Sequence, residues 1–260
     1  MGIGGIRLSL SAVAAFALVA AMVRPAAAAY TQQQQWELNV GKQEYGQLAA
    51  QRVLVSTTSP LYAKLAPIGR AIAHAADKHY FVPFSFYLVK NAQPNAFSVP
   101  GGHVYVTTAM MSFARNREEL AGVLCHEVSH DIHHDVYDLA QKRQGMQAVG
   151  VLVAMLTRKS AIASTLAGVG INMWSDSFSR PVESAADRAG AYICAQAGIN
   201  PWGMVWLFKR FESKPSGVPL EALSDHPRND HRVTDLENLF RSDPKTFARF
   251  SSNPATAHPL

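Results

Sequence analysis

The stretch "EELAGVLCHEVSH", Glu118 to His130, decides the fold of this sequence, because it sets metal-ligand spacing inside a helix. An α-helix turns about 100° per residue, so His126 and His130 lie on nearly the same face. Both imidazoles can reach one ion at about 2.0–2.1 Å from each ring nitrogen. Glu127 follows the first histidine, where a carboxylate can accept a proton from water at that ion. The alternative is an ordinary amphipathic helix that holds two histidines.

A zinc ion held by two histidines needs a third protein ligand and an open position. The extended pattern HExxHxxGxxH fails here, because His133 stands where glycine is required and position 136 is not a histidine. The stretch "VESAAD" supplies Glu183 instead, with Asp187 one turn further along the same face. We predict that Glu183 binds the metal and that Asp187 accepts a hydrogen bond from the outer ring nitrogen of His126. A solvated helix face is the alternative for this acidic pair.

Hydrophobic periodicity predicts an α+β chain that is mostly helical. The stretches "FSFYLVK" (84–90) and "HVYVTT" (103–108) alternate and are rich in aromatic and β-branched residues, so we predict an antiparallel pair of strands. The segment between them is predicted to be a turn-rich link. Helices are predicted over residues 31–53, 59–79, 107–114, 116–141, 180–198, 201–213 and 231–242. A weakly structured tail is expected after the last helix.

The first 29 residues have the features of a secretory signal peptide. Arg7 gives a positive start, Leu8 to Val23 form an apolar core, and "RPAAAAY" offers a cleavage site between Ala29 and Tyr30. A retained membrane anchor is the alternative, but the apolar run is short for a membrane span. We therefore predict an exported, periplasmic protein with one domain over residues 30–260.

The charge of the exported part is mild. Arg7 and Arg24 lie in the signal segment, so 22 of the 24 basic residues remain against 19 acidic residues, a net charge of +3. No basic run is interleaved with aromatic residues, and nucleic acid is not an expected partner. The two cysteines, Cys125 and Cys194, lie among apolar residues, so we interpret them as buried small hydrophobic residues rather than a disulfide.

Residues 145–174 contain two apolar stretches separated by "TRKS". Each stretch is too short to cross a bilayer. We predict a helical hairpin that packs on the core. The alternative is a hairpin that contacts a membrane or a partner, with Arg158 and Lys159 at its tip near lipid headgroups.

Four stretches in order resemble the HtpX-like zinc metallopeptidases, gluzincins that include the CAAX prenyl proteases and the Oma-type mitochondrial proteases. These stretches are "NAFSVPGGHVYVTTAMM", "EELAGVLCHEVSH", "SRPVESAAD" and "HPRNDHR", and the resemblance covers about residues 42–240. It implies a zincin-like domain in which the edge strand of the sheet lines the active-site cleft. The chain is more similar to small exported members than to the prenyl proteases.

The resemblance also implies residue roles. It implies three zinc ligands and a general base at His126, His130, Glu183 and Glu127. A histidine and an arginine beside the zinc match His226 and Arg232, which are expected to act in catalysis. The strand and loop that bind substrate match Asn95 to Gly102, which include Asn95, Ala96, Phe97, Gly101 and Gly102. The family often has a histidine where this chain has Asp135, and His133 and His134 are expected to form a solvated helix end.

The expected function is that of a zinc endopeptidase with one Zn²⁺ per chain and polypeptide substrates. The resemblance suggests quality control of unfolded or misfolded envelope proteins. One alternative is a chaperone-like binding module whose zinc is structural. Another is a zinc amidase that acts on cell-wall peptides, although an edge strand favours an extended polypeptide.

Overall fold

The computed structural model describes residues 29–142, 178–212 and 231–260. Its α-helices are α1 (Gln32–Ala50), α2 (Pro60–Ala76), α3 (Thr108–Phe113), α4 (Arg117–Ile132), α5 (Asp135–Lys142), α6 (Arg180–Gln196), α7 (Trp202–Glu212), α8 (Arg232–Ser242) and α9 (Pro244–Phe247). The strands are β1 (Ser85–Val89), β2 (Ala96–Val99) and β3 (His103–Thr107). Contacts group Thr31–Leu260 into one unit. The predicted α+β class with a small sheet is confirmed.

Local sequence explains where the central helices begin and end. The Asn116 side chain caps α4 by accepting a hydrogen bond from the Glu119 N–H at 2.8 Å. The Glu119 carboxylate in turn accepts the N–H of Arg115, one residue before the position that a capping box uses. Gly198 follows α6 with a φ of +70°, a left-handed conformation that suits glycine and ends the helix.

The single helix predicted over residues 116–141 is wrong, because the chain breaks between α4 and α5. His134 has a φ of +58°, which an α-helix does not allow. Its Nδ1 lies 2.7 Å from the buried Glu37 carboxylate of α1, and this contact accompanies the break. Asp135 therefore begins a new helix, and its carboxylate contacts His130 of α4.

The sheet is mixed, so the predicted antiparallel pair of 84–90 and 103–108 is wrong. Strand β1 runs parallel to β3, with Ser85 opposite His103 and Val89 opposite Thr107. The segment predicted to be a turn-rich link contains β2, which pairs with β3 in antiparallel fashion. Since β2 forms the hairpin with β3, the strand order is β1-β3-β2 and β2 is an edge strand of this sheet.

Helices cover both faces of the sheet. Leu88, Val104 and Val106 belong to a core cluster with residues of α2 and α4. On the other face, Val40 and Leu48 of α1 cluster with Val89, Val99 and Tyr105. Helix α4 also packs against α6 and α7, so both faces of the metal-binding helix are supported.

The two cysteines form a disulfide, which corrects the interpretation of both as free hydrophobic residues. Cys125 of α4 and Cys194 of α6 are fully buried, with a Cα–Cα distance of 5.9 Å. Gly190, one turn before Cys194 on α6, packs against α4, where an added Cβ would lie 3.0 Å from the backbone nitrogen of His126. The bond and this close approach join α6 to α4 beside His126.

The burial of Glu44 on α1 predicts that the stability of the folded protein depends on pH. The residue is 0% exposed, neither carboxylate oxygen has a hydrogen-bond partner among the described residues, and burial raises its pKa from 4.5 to about 7. The folded state therefore binds this proton more tightly than the unfolded state, and stability falls as the pH rises from about 4.5 to about 7. The loss is on the order of 3 kcal/mol.

We expect Glu44→Gln to melt at a higher temperature than the wild type at pH 8, since the variant buries no charge. Near pH 4 the two proteins should melt at similar temperatures. Thermal unfolding across this pH range measures the effect. Parallel profiles for the two proteins would show that Glu44 does not ionise inside the folded chain.

Within the described ranges, none of the helices combines the length and the apolar character needed to cross a membrane. The predicted signal peptide (1–29), apart from Ala29, and the predicted hairpin (145–174) lie outside the described residues. Both stay predictions. The tail after α8 is more ordered than expected, since Trp206 donates its indole N–H to the Ser252 carbonyl.

Candidate metal centre

Three side chains converge where α4 and α6 meet. His126, His130 and Glu183 each offer one ligand atom, and these atoms lie within 4.8 Å of one another. The Nε2 atoms of the two histidines are 3.1 Å apart. Glu183 places one carboxylate oxygen 3.5 Å from His126 Nε2 and the other 3.7 Å from His130 Nε2. All three residues are at most 4% exposed.

The outer nitrogens of both histidines contact carboxylates, as metal-bound histidines usually do. His126 Nδ1 lies 2.9 Å from Asp187 Oδ1, and His130 Nδ1 lies 2.7 Å from Asp135 Oδ2. These contacts leave both Nε2 atoms directed at the common point. Two imidazole nitrogens and one carboxylate are a donor set that suits Zn²⁺, so the residues present fit the metal.

Sequence analysis missed Asp135 as a partner of His130. The residue lies five positions after the histidine, and an unbroken helix would carry it round to another face. The break at His134 brings it back toward the site. The Phe178 ring completes the surroundings of His130 by stacking on it at 4.6 Å between centroids.

Asp135→Asn should weaken metal binding by about 10- to 100-fold, the usual effect of removing a carboxylate that orients a metal-bound histidine. Asp138→Asn provides a matched control, because Asp138 lies on the exposed side of the same helix. Competition with a zinc chelator measures both affinities. Equal zinc affinities in the two variants would show that Asp135 does not help to orient His130.

Glu127 connects the metal helix to the edge strand. Its carboxylate is buried and accepts the Ser98 N–H at 3.1 Å. The Thr107 N–H donates to the Asn95 carbonyl. Because the backbone groups of successive residues in a strand point to opposite sides, those of Asn95, Phe97 and Val99 point toward β3. The backbone groups of Ala96 and Ser98 then point away from β3, to the side of β2 that pairs with no other described strand. The outward edge of β2 therefore lies next to Glu127.

Arg232 lies at the same centre, bound to Asp187. Its Nε and Nη2 atoms donate to the two oxygens of Asp187, both at 2.6 Å, and its Nη1 is 3.7 Å from Glu183. The guanidinium also lies 4.2 Å from the centre of the Phe208 ring. Burial opposes the ionisation of Asp187, but Arg232 and His126 hold its pKa below the ordinary value. Asp187 thus stays a carboxylate between a cation and a histidine.

The other residues predicted for the site are placed differently. His226 lies outside the described residues. Asn95 and Ala96 are buried, and Phe97 stacks on Tyr105 across the sheet at 5.1 Å between centroids, away from the metal. These predicted residues therefore contribute backbone groups, rather than side chains, to the outward edge of β2. Sequence analysis did not single out Ser98, whose N–H faces Glu127.

The turn after β2 carries the remaining predicted residues. Gly101 and Gly102 have φ values of +96° and +80°, and the Gly102 N–H donates to the buried Asp131 of α4. His133 is partly exposed at the end of α4, as expected for a solvated helix end. The same expectation is wrong for His134, because its Nδ1 contacts the buried Glu37 carboxylate. Among the described residues, neither histidine belongs to a cluster that could hold a metal.

The chain is similar to two groups of known proteins. It is 32% and 30% identical to the beta-barrel assembly-enhancing proteases of Yersinia pestis and Escherichia coli (strain K12), over 166 and 181 residues. These matches cover 60% and 65% of this chain but 34% and 36% of the relatives, so the chain spans about a third of their length. It is also 27% identical over 227 residues to the mitochondrial metalloendopeptidase OMA1 of Saccharomyces cerevisiae, which covers 80% of this chain and 64% of that protein.

A family profile gives the same result over most of the fold. The profile of "Peptidase family M48" matches residues 59–240, from the N-cap of α2 into α8. The matched range includes the three converging side chains and Glu127. The chain therefore belongs to peptidase family M48, whose members are metal-dependent peptidases.

Proposed function

We propose that this chain is a zinc-dependent endopeptidase with one Zn²⁺ per molecule. His126, His130 and Glu183 would hold the ion, and Glu127 would be the general base. The observation that carries this proposal is the position of Glu127, which follows a ligand in the sequence and contacts the outward edge of β2. A structural metal site would need no carboxylate at that point.

Zinc, when bound, would supply a Lewis acid that polarises the peptide carbonyl and lowers the pKa of water to about 7. Glu127 takes the proton of the attacking water as the new C–O bond forms. It then gives that proton to the amide nitrogen as the C–N bond breaks, so the leaving group departs as a neutral amine. Asp187 and Asp135 keep the two histidines in one tautomer and orientation throughout.

Arg232 has a positioning role in this proposal. Two of its nitrogens are already bonded to Asp187, and the third faces Glu183. The guanidinium therefore offsets the negative charge of both carboxylates and fixes the plane of Asp187 against His126. His226, for which the family resemblance is the support, would donate to the developing oxyanion or occupy the open ligand position in a resting state.

The edge strand determines the substrate class in this proposal. An extended polypeptide can pair with the outward N–H and C=O groups of Ala96 and with the Ser98 carbonyl, and such pairing depends on backbone rather than on side chains. Unfolded segments meet this requirement, whereas folded proteins rarely offer a free extended strand. The names of the bacterial relatives add a context of β-barrel assembly. We infer that the substrates are unfolded or misfolded polypeptides of the envelope.

The domain organisation also belongs to the proposal. Residues 1–29 would be a cleaved signal peptide, and residues 30–260 would be one peptidase domain in the periplasm. The apolar segment 145–174 would pack on the core or contact a membrane surface through Arg158 and Lys159. Flotation of the exported protein with anionic liposomes distinguishes these two outcomes.

One outer-membrane β-barrel protein, offered folded in detergent and unfolded, tests the proposed activity. We expect the unfolded form to be cut at internal bonds, the folded form to resist, and a chelator to stop the reaction. Mass spectrometry of the new termini measures this. Binding of the unfolded form without any cleavage would favour a chaperone-like module instead.

A further inference from the structure

Helix α1 precedes the residues that match the peptidase family, yet its buried Glu37 reaches the surroundings of the metal site. Glu37 is 1% exposed, and both carboxylate oxygens are engaged. One oxygen lies 2.8 Å from the Tyr80 hydroxyl. The other lies 2.7 Å from His134 Nδ1 and accepts a hydrogen bond from the Gln33 amide at 3.0 Å. One carboxylate thus joins three separate parts of the chain.

The contact with Tyr80 leads to the turn after the edge strand. The Gly101 N–H donates to the Tyr80 hydroxyl at 3.0 Å, and the hydroxyl donates onward to Glu37. Burial, together with the charges of Asp131 and Glu37, raises the pKa of Tyr80, so the hydroxyl keeps the proton that it donates. The order of donors is therefore fixed from Gly101 through Tyr80 to Glu37.

The turn fits closely against α1. A Cβ added to Gly101 would lie 3.1 Å from the Glu37 carbonyl oxygen, and Gly101 has a φ that side chains rarely adopt. The turn immediately follows Val99, the last residue of β2. Any movement of the turn would shift the outward backbone of Ser98, which contacts Glu127.

The contact with His134 connects Glu37 to the junction between α4 and α5, next to the metal ligand His130. His134 is the left-handed residue between α4 and α5, and its neighbour Asp135 contacts the His130 ring. Glu37 therefore reaches both supports of the centre, the edge-strand turn through Tyr80 and the α4–α5 junction directly through His134.

We propose that Glu37 is a positioning residue for peptide binding, which acts through Tyr80 on the turn that sets the edge strand. This inference rests on the proposed peptidase function. Glu37 itself lies beyond the reacting atoms, so its loss should weaken substrate binding more than it slows the chemical step. Gln at position 37 offers one acceptor oxygen where Glu37 uses two, and Tyr80→Phe removes the relay while keeping the ring.

Steady-state kinetics on a long unfolded peptide test the proposal. We expect Glu37→Gln and Tyr80→Phe each to raise KM by about 10-fold with kcat within about twofold, as for a lost charge-assisted hydrogen bond. Combining them should raise KM by less than the product of the two single effects, since Tyr80→Phe alone already breaks the route by which Glu37 acts on the turn. Glu44→Gln is the matched control on the same helix and should leave KM unchanged, because Glu44 has no hydrogen-bond partner in the part of the chain that the structure describes.

Hydrogen exchange at the Gly101 amide provides a second measurement that needs no activity. Exchange should become faster in Glu37→Gln and Tyr80→Phe and stay at the wild-type rate in Glu44→Gln. Lower melting temperatures with unchanged KM and unchanged Gly101 exchange would overturn the proposal and leave Glu37 a purely structural residue. An inactive wild-type chain would refute the peptidase function instead, and the exchange rates would still decide whether Glu37 holds the turn.

Discussion

Glu127→Gln should keep the bound metal and lose peptide hydrolysis. The substitution preserves the shape of the side chain and all three ligands, but an amide cannot take a proton from water. General acid–base catalysis contributes about 100- to 10,000-fold, and we expect kcat to fall by that factor. Metal analysis and turnover of an unfolded protein substrate, measured on the same preparation, give both quantities.

Glu183→Gln is the variant to set beside it. Glu183 is buried between the two histidines, and its replacement removes a ligand rather than a base. This variant should lose both metal and activity, whereas Glu127→Gln should lose activity alone. Cleavage by Glu127→Gln at the wild-type rate would show that another group accepts the proton.

Arg232→Ala should lower kcat by about 10- to 100-fold, the usual effect of removing a group that helps to orient a metal-bound histidine. The cause is indirect. Asp187 would become a buried carboxylate without its cation, and removing one partner of a buried ion pair is costly. The His126 ring would then lose its fixed neighbour. Arg232→Lys should recover part of the activity, since it keeps the charge but not the two-point contact.

Arg241→Ala is the matched control, because Arg241 lies on the exposed side of the same helix α8. It should match the wild type in turnover, metal content and melting temperature. Unchanged kinetics in Arg232→Ala, with metal still bound, would show that catalysis needs only the three ligands and Glu127.

The spacing of residues along the helices predicted most of the site. His126 and His130 are four residues apart, and Glu183 and Asp187 are again four apart, so each helix presents its pair on one face. Once the two helices are placed in contact, the ligand and its orienting carboxylate meet the two histidines. Spacing alone could not bring the two helices together, and the family resemblance supplied that step.

Contacts between distant segments could not be predicted from local patterns. Strand β1 runs parallel to β3 because β2 lies between them in the chain and forms the hairpin with β3. Since β2 has only four residues and turn-forming residues flank it, the sequence pattern did not predict this strand. The disulfide depends on Cys125 and Cys194 facing each other across α4 and α6, although they lie 69 positions apart in the sequence. Asp135 reaches His130 only because the chain breaks at His134, which Glu37 contacts from a different helix.

Titration of the metal-free protein with zinc, with peptide cleavage followed at each addition, tests the central claim most directly. If His126, His130 and Glu183 hold the one ion that hydrolysis requires, activity should rise in proportion to added zinc and level off at about one equivalent per chain. Full cleavage activity in the metal-free protein, or one zinc bound per chain with no cleavage of an unfolded substrate, would contradict it.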